Sequence, residues 1–224
     1  DGRDGCARVN GEGRISSPVV YSPPRCGAAD KIQTAFMTGP VSDPDSNPVP
    51  SHRLPQGIAL IAAAMPHHPV IAELHRQSFD EAWSEATIRS VLAMPGAFGL
   101  LAVGAGSGGE NLDVSSPEPD LFGFALCRVV ADECELLSLA VAKSARGRGI
   151  GGGLVDVVID QLRRMQAEDT LITKLFLEVA EDNIEAQRLY KKRGFGPIGR
   201  RPGYYHRDNG PAMAALTFAA NLSD

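Results

Sequence analysis

From residue 57 onward the chain alternates between two hydrophobic rhythms. GIALIAAA (57–64) and AFGLLAVG (97–104) are short continuous apolar runs, which predict strands. Between them, PVIAELHRQSF and SEATIRSVLAM carry apolar residues three and four apart and predict two helices, with Ser84 placed to cap the second. LFGFALCRVVAD and CELLSLAV read as a strand pair turned at Ala131-Asp132-Glu133. The longest helical pattern runs from about Gly149 to Gln166, with Ile150, Leu154, Val157, Val158, Leu162 and Met165 on one face. TKLFLEVA then predicts a buried strand and NIEAQRLYKKRG a helix ending at Gly194, and one or two strands close the chain, AMAALTFAA among them. The order predicts an α/β (α+β) domain over 57–220, with a mixed sheet and helices on both faces.

Residues 1–56 show no such rhythm. SSPVVYSPPRCG and TGPVSDPDSNPVPSHRLPQG are dense in Gly, Pro, Ser and Asp, and cannot repay their ordering entropy by burial, so a disordered leader is expected. The first residue is Asp and the earliest methionine is Met37. Residues 1–36 are therefore expected to be either a reading-frame artefact or a fragment of something upstream. The polar stretch around 105–119 reads as an exposed loop.

Composition narrows the partners. A formal net charge of -5 provides no general basic field for nucleic acid. Cys6, Cys26, Cys127 and Cys134 form neither a C-x-x-C pair nor zinc-ligand spacing with the histidines, so reduced thiols and no metal are expected. The apolar run at 57–65 is far shorter than the ~20 residues that span a bilayer, and it has no basic leader, so the expected location is cytoplasmic, without a membrane partner.

The chemistry concentrates in SARGRGIGGGLVD. Gly147, Gly149 and Gly152 fit the dinucleotide pattern G-x-G-x-x-G, whereas Arg146, Gly149 and Gly151 fit R-x-x-G-x-G. A dinucleotide fold starts its glycines directly at a strand end and places an acid about twenty residues on. Here Lys143 to Arg146 intervene, the preceding strand belongs to an antiparallel pair, and Glu178 comes too late. A Walker loop is excluded because no G-K-[ST] is present. Common to all such loops is a cradle of backbone N–H groups at a helix N-terminus, which suits a diphosphate. Arg146 and Arg148 add positive charge.

ELLSLAVAKSARGRGIGGGLVDVVI, LFLEVAEDNIEAQRLYKKRGF and RRPGYY, in that order and spacing, resemble the GNAT superfamily of N-acetyltransferases, and within it the bacterial ribosomal-protein-alanine N-acetyltransferases, the RimI family. The likeness covers roughly residues 57–217, and FDEAWSEATIRSVL matches the family's usual start. It implies the GNAT fold, with a central sheet of about six to seven strands, and acetyl-coenzyme A as the acetyl-donor substrate. By resemblance, Arg146, Gly147, Arg148, Gly149, Ile150, Gly151 and Gly152 hold the diphosphate. Leu139, Ala140 and Val141 offer backbone groups to the pantetheine arm, and Asn183 corresponds to a coenzyme-contacting position. Asp182 and Glu185 also form a D-x-x-E capping pattern, which leaves a helix-start role open for Asn183.

Acetyl transfer to an amine needs a proton acceptor and a proton for the departing thiolate. In TKLFLEVA, Leu175, Leu177 and Val179 face one way and Phe176, Glu178 and Ala180 the other, so Glu178 sets a carboxylate into an apolar strand, where it is expensive unless used or paired. The resemblance makes Glu178 the general base and Tyr190 the proton donor to the thiolate. Trp83, Tyr204 and Tyr205 resemble positions that shape the peptide groove. Ala212-Met213 departs from the family, which usually carries an acid just before the last strand.

Magnitudes favour one kind of acceptor. An α-amine of pKa ~7.7 to 8.0 is about a tenth unprotonated at neutral pH, and a lysine of pKa ~10.4 below a thousandth, so a modest base suffices for the former. The expected acceptor is a protein N-terminus, that of a ribosomal protein by resemblance. An acetyltransferase acting on another protein or on a small amine, and a non-catalytic acetyl-coenzyme A sensor, are the alternatives.

Overall fold

The computed structural model describes residues 54–105, 121–167, 171–207 and 210–222. The expected leader (all but its last three residues) and nearly all of the polar stretch around 105–119 lie outside them. Seven strands form one sheet in the order β1-β2-β3-β4-β5-β7-β6. β1 (Ile58–Ala62), β2 (Ala97–Gly104), β3 (Leu121–Val130) and β4 (Glu133–Val141) make an antiparallel meander. β5 (Lys174–Ala180) joins β4 in parallel, and β6 (Gly196–Arg207) and β7 (Gly210–Asn221) form a hairpin with β7 placed against β5.

Helices α1 (His68–Ser78) and α2 (Glu85–Leu92) cover one face, and α3 (Ile150–Ala167) and α4 (Ile184–Lys191) the other. Ser84 caps α2 as its position predicts, its side chain accepting from the Thr87 N–H at 3.1 Å. The six residues predicted for the inner face of α3 are all buried, Leu154, Val158 and Leu162 completely. Burying each such side chain contributes about 1.5–3 kcal/mol, which is why the helix holds despite three glycines near its start.

The second closing strand is settled by the structure. Despite its glycines and prolines, GPIGRRPGYYHR forms β6. At the sheet edge, Pro leaves no ladder partner unsatisfied, and extra residues are accommodated as bulges. Arg201 pairs with Ala215 and Tyr205 with Met213, so the segment between Arg201 and Tyr205 carries two more residues than its partner, and Gly203 (φ 65°) lies in it. Ala212 and Met213 lie within β7.

Candidate active site

The site begins with one irregularity in β4. Cys127 pairs with Leu136 and Leu126 with Ser138, so Leu137 is an extra residue on β4. β4 pairs with β5 only from Glu133–Lys174 to Leu136–Leu177. Beyond that point the strands part. Leu139, Ala140 and Val141 stay paired with Ala125, Phe124 and Gly123 on one side, and on the other they have no strand partner among the described residues. Their outward backbone groups therefore line an opening in the sheet, fit to pair with an extended amide-bearing arm.

At the upper end of β4 a short 3-10 turn, Lys143–Ala145, leads into the glycine loop. Gly147 (φ 74°) and Gly149 (φ 88°) adopt the left-handed conformation, and a Cβ at either position would find nothing within 4 Å, so backbone geometry rather than space calls for glycine. The Gly153 N–H bonds the Gly149 carbonyl at 2.9 Å, which opens α3. The preceding N–H groups of Ile150, Gly151 and Gly152 have no intrahelical acceptor, because helix geometry leaves the first turn without one. They head an 18-residue helix, a suitable seat for a diphosphate. Arg146 folds back so that its Nε donates to the Val141 carbonyl at 3.2 Å, and Arg148 lies 5.4 Å from the Phe122 ring centroid.

Gly151 and Gly152 serve packing as well. A Cβ on Gly151 would approach Val141 Cγ2 at 3.3 Å and Leu189 Cδ1 at 3.4 Å, so its absence lets α3 sit close to β4 and α4. A Cβ on Gly152 would stand 2.1 Å from Arg193 Nη2. The Arg193 guanidinium fills that place, donating to the Gly152 carbonyl at 3.0 Å, to Asp156 at 2.8 and 3.0 Å and to the Leu189 carbonyl at 3.2 Å. Only the backbone N–H of Gly152 is left to meet an anion. Asn183 is likewise committed: it caps α4, its Oδ1 accepting from the Ala186 N–H at 3.1 Å, whereas Asp182 does not take the capping place.

Glu178 and Tyr190 flank the opening from opposite faces. Leu177 and Val179 are buried with α3 and α4, in the same cluster as Tyr190, so Glu178 projects to the α1–α2 face. Tyr190 is buried, with its ring tilted against Phe195 at 5.7 Å. Glu178 is paired rather than isolated: Arg201 Nη1 donates to its Oε1 at 2.8 Å, and the Tyr204 hydroxyl also hydrogen-bonds its carboxylate. The bulge in β6 brings both residues to this face, and the Arg201 guanidinium lies 4.3 Å from the Tyr204 ring centroid. Burial, then the nearby charge of Glu178, raises the Tyr204 pKa above the ordinary phenol value. Tyr205 pairs with Met213 through its backbone, and its side chain lies outside the described part.

Glu135 completes the cluster. It pairs in parallel register with Phe176, so it points to the same face as Glu178. Desolvation, then the charge of Glu178, raises its pKa above the usual carboxylate range, against smaller opposing effects of Arg128 and Arg201. Neither Glu135 nor Arg201 is singled out by the sequence pattern. The alternation that exposes Glu178 was available for Glu135 in CELLSLAV, whereas nothing local ties Arg201 to β5.

Trp83 packs against the hydrophobic cluster beneath α1 and α2. Its ring stacks on buried His75 at 5.0 Å, and its backbone N–H donates to His75 Nδ1 at 3.1 Å. Burial lowers the His75 pKa to about 4, so the ring is neutral at pH 7. Trp83 also lines a recess of about 380 Å³ with Pro69, Arg76 and Glu85, built from α1, the loop after it and the start of α2. Among the described residues no three His, Cys, Asp or Glu side chains come together as metal ligands, and no helix is long and apolar enough to cross a membrane.

The model of the Acetyltransferase (GNAT) family matches residues 69–195. The [ribosomal protein bS18]-alanine N-acetyltransferase of Haemophilus influenzae is 33% identical over 129 residues, 58% of this chain and 84% of the relative. Among solved structures, the Escherichia coli ribosomal-protein-S18-alanine N-acetyltransferase superposes with a TM-score of 0.63 at 23% identity, covering 75% of this chain and 95% of that one. Arabidopsis thaliana NAA60 in complex with acetyl-CoA superposes with a TM-score of 0.60 at 20% identity, covering 75% and 99%.

Proposed function

The chain belongs to the acetyltransferase (GNAT) family, and from that premise we propose that it moves the acetyl group of acetyl-coenzyme A onto a protein N-terminal α-amine, that of the alanine which begins a small-subunit ribosomal protein. The relatives' names support the acceptor. The observation that carries the reaction is the opening between β4 and β5, with Glu178 on one face and Tyr190 on the other. A ribosomal-protein acceptor also implies that the enzyme works in the cytoplasm.

The residues divide the work. The N–H groups of Ile150, Gly151 and Gly152, with Arg146 and Arg148 nearby, hold the diphosphate. The outward backbone of Leu139–Val141 aligns the pantetheine arm, which carries the thioester into the opening. There one of those N–H groups stabilises the oxyanion as the amine attacks. The amine arrives from the α1–α2 face, where Glu178 accepts a proton. The thiolate leaves on the α3–α4 face, where Tyr190 supplies one.

Attack is direct, within a ternary complex. Cys127 and Cys134 are buried in β3 and β4, so among the described residues no exposed thiol is available to form an acetyl-enzyme.

Mass spectrometry after incubation with acetyl-coenzyme A tests the reading. Peptides beginning with Ala, Ser or Met are compared with free polyamines. One acetyl group on the Ala peptide alone is the expected result. Acetylated polyamine with unmodified peptides would replace the acceptor class, and coenzyme binding with no acetylated product would replace catalysis with sensing.

A further inference from the structure

An α-amine differs from a polyamine or a lysine amine in what stands next to it. At a peptide N-terminus the nitrogen and the carbonyl oxygen of the same residue are joined through three bonds, so backbone dimensions hold them roughly 2.7–3.6 Å apart. A polyamine or a lysine side chain carries no carbonyl that close to its reactive nitrogen. A carboxylate and a hydrogen-bond donor standing side by side can therefore grasp both atoms of an α-aminoacyl end together.

Glu178 and Arg201 are such a pair. Arg201 Nη1 donates to Glu178 Oε1 at 2.8 Å. That engages one of the five N–H groups of the guanidinium, and among the described residues no other carboxylate or carbonyl takes the rest. The Arg201 side chain is 58% exposed on the α1–α2 face, from which the amine arrives. The Tyr204 ring, whose centroid lies 4.3 Å from the guanidinium carbon, backs it and limits its swing. The row running inward from Arg201 continues through Ala215 of β7 and Ala180 of β5. Only methyl groups stand on that row, which leaves space beside the ion pair.

We propose that Arg201 is a specificity-determining residue: while one N–H holds Glu178, another donates to the carbonyl oxygen of the first residue of the incoming protein, so that carboxylate and guanidinium read an α-aminoacyl end as one unit. This rests on the N-terminal acetyltransferase reading above.

The residue type suits the task. The planar guanidinium presents several donors in fixed directions, whereas a lysine ammonium is a point charge on a flexible stem. A polyamine brings further ammonium groups towards Arg201 and gains no hydrogen bond from it. Arg200, the preceding residue, does not share the role. Strand alternation turns it to the other face, where its Nε and Nη2 close on the two Glu181 oxygens at 2.8 and 2.7 Å.

The test crosses enzyme variants with two substrates. One is an Ala-initiated peptide. The other is its isostere with an E-alkene in place of the first peptide bond, which keeps the shape and removes the carbonyl. The quantity measured is kcat/KM for each, with the full chain and with Arg201→Met and Arg201→Lys. Each substrate is compared with itself between enzymes, so the different amine pKa of the isostere cancels, and so does any loss of Glu178 positioning, which lowers both alike.

Arg201→Met is expected to lose about ten- to a hundredfold more on the peptide than on the isostere, the range for a hydrogen bond to a charged group. Arg201→Lys keeps a cation beside Glu178 and should give a ratio between those of wild type and Arg201→Met, so it carries the test even if Arg201→Met does not fold. Acetyl-coenzyme A affinity should hold throughout. Equal losses on the two substrates would leave Arg201 as a positioning residue only and overturn the proposal, as would an unchanged rate on the peptide. A wild-type chain that leaves the peptide unmodified would overturn the acceptor assignment, and this proposal with it.

Discussion

Arg201 on the edge strand β6 places its guanidinium 2.8 Å from the Glu178 carboxylate on β5, reaching across β7, which lies between them. A carboxylate that the strand pattern presents as a lone polar group is thus oriented by a cation 23 residues further along. The pair is not a large source of stability, since 58% of the Arg201 side chain is exposed. Its effect is to fix where the Glu178 oxygens point.

Removing that carboxylate should separate catalysis from binding. Glu178→Gln keeps the shape of the side chain, and turnover should fall by about 10²–10⁴, the range expected for a positioned acid–base group. Acetyl-coenzyme A affinity, from calorimetry on the same sample, should change less than twofold. Unchanged turnover would remove Glu178 from the chemistry.

Gly149 should be required for its conformation alone. At φ 88° with open space around it, Gly149→Ala meets no neighbour but costs about 1–2 kcal/mol for a left-handed residue. Relief of that strain would reshape the loop, so acetyl-coenzyme A affinity should fall with stability. Affinity equal to wild type in a titration would show that the loop does not hold the coenzyme.

Gly152 and Arg193 should be coupled. In the wild-type background Gly152→Ala pushes the guanidinium off Asp156 and should destabilise by about 1 kcal/mol. In an Arg193→Ala background the three atoms nearest that Cβ are gone, and the same change should stabilise by up to about 1 kcal/mol, the helix preference for Ala over Gly. Chemical denaturation of the four proteins gives the coupling, and additive effects would contradict the contact.

His75 should make the fold acid-sensitive. Its pKa drops from 6.5 in the unfolded chain to about 4 in the buried stack, so below pH 6.5 the unfolded state binds more protons than the native one. The stability this neutral ring contributes is whole above pH 6.5 and is lost as pH falls towards 4, by up to about 3 kcal/mol. His75→Phe should flatten the denaturation midpoint over that window. An unchanged slope would locate the acid sensitivity elsewhere.

Asn183→Ala should act through α4. Loss of the cap at Ala186 should cost about 1 kcal/mol in thermal or chemical denaturation, with coenzyme affinity held. A fall in affinity without a fall in stability would instead make Asn183 a coenzyme contact.

The elements of this protein are local facts, and the sequence by itself determined them. Strand and helix follow from whether apolar residues recur every two or every three to four positions, so α3 and the β3–β4 hairpin were legible from residues in immediate succession. Glu178 stood out for the same reason, as did the loop at Gly147 and Gly149, since a cluster of glycines before a well-patterned helix needs an explanation. β6 was obscured because its glycines and prolines are tolerated only at a sheet edge, and being an edge is not a property of the segment.

Only the tertiary structure decided which strands became neighbours. Residues of β4, β5 and β6 meet because α3 carries the chain across to lay β5 parallel to β4, and because β7 returns inside β6. That arrangement put Glu135 beside Glu178 and Arg201 upon it, and it turned Gly152 into the space that Arg193 fills. Lateral order is set by burying both faces of the whole sheet at once, a balance of non-local contacts that no window of the sequence contains.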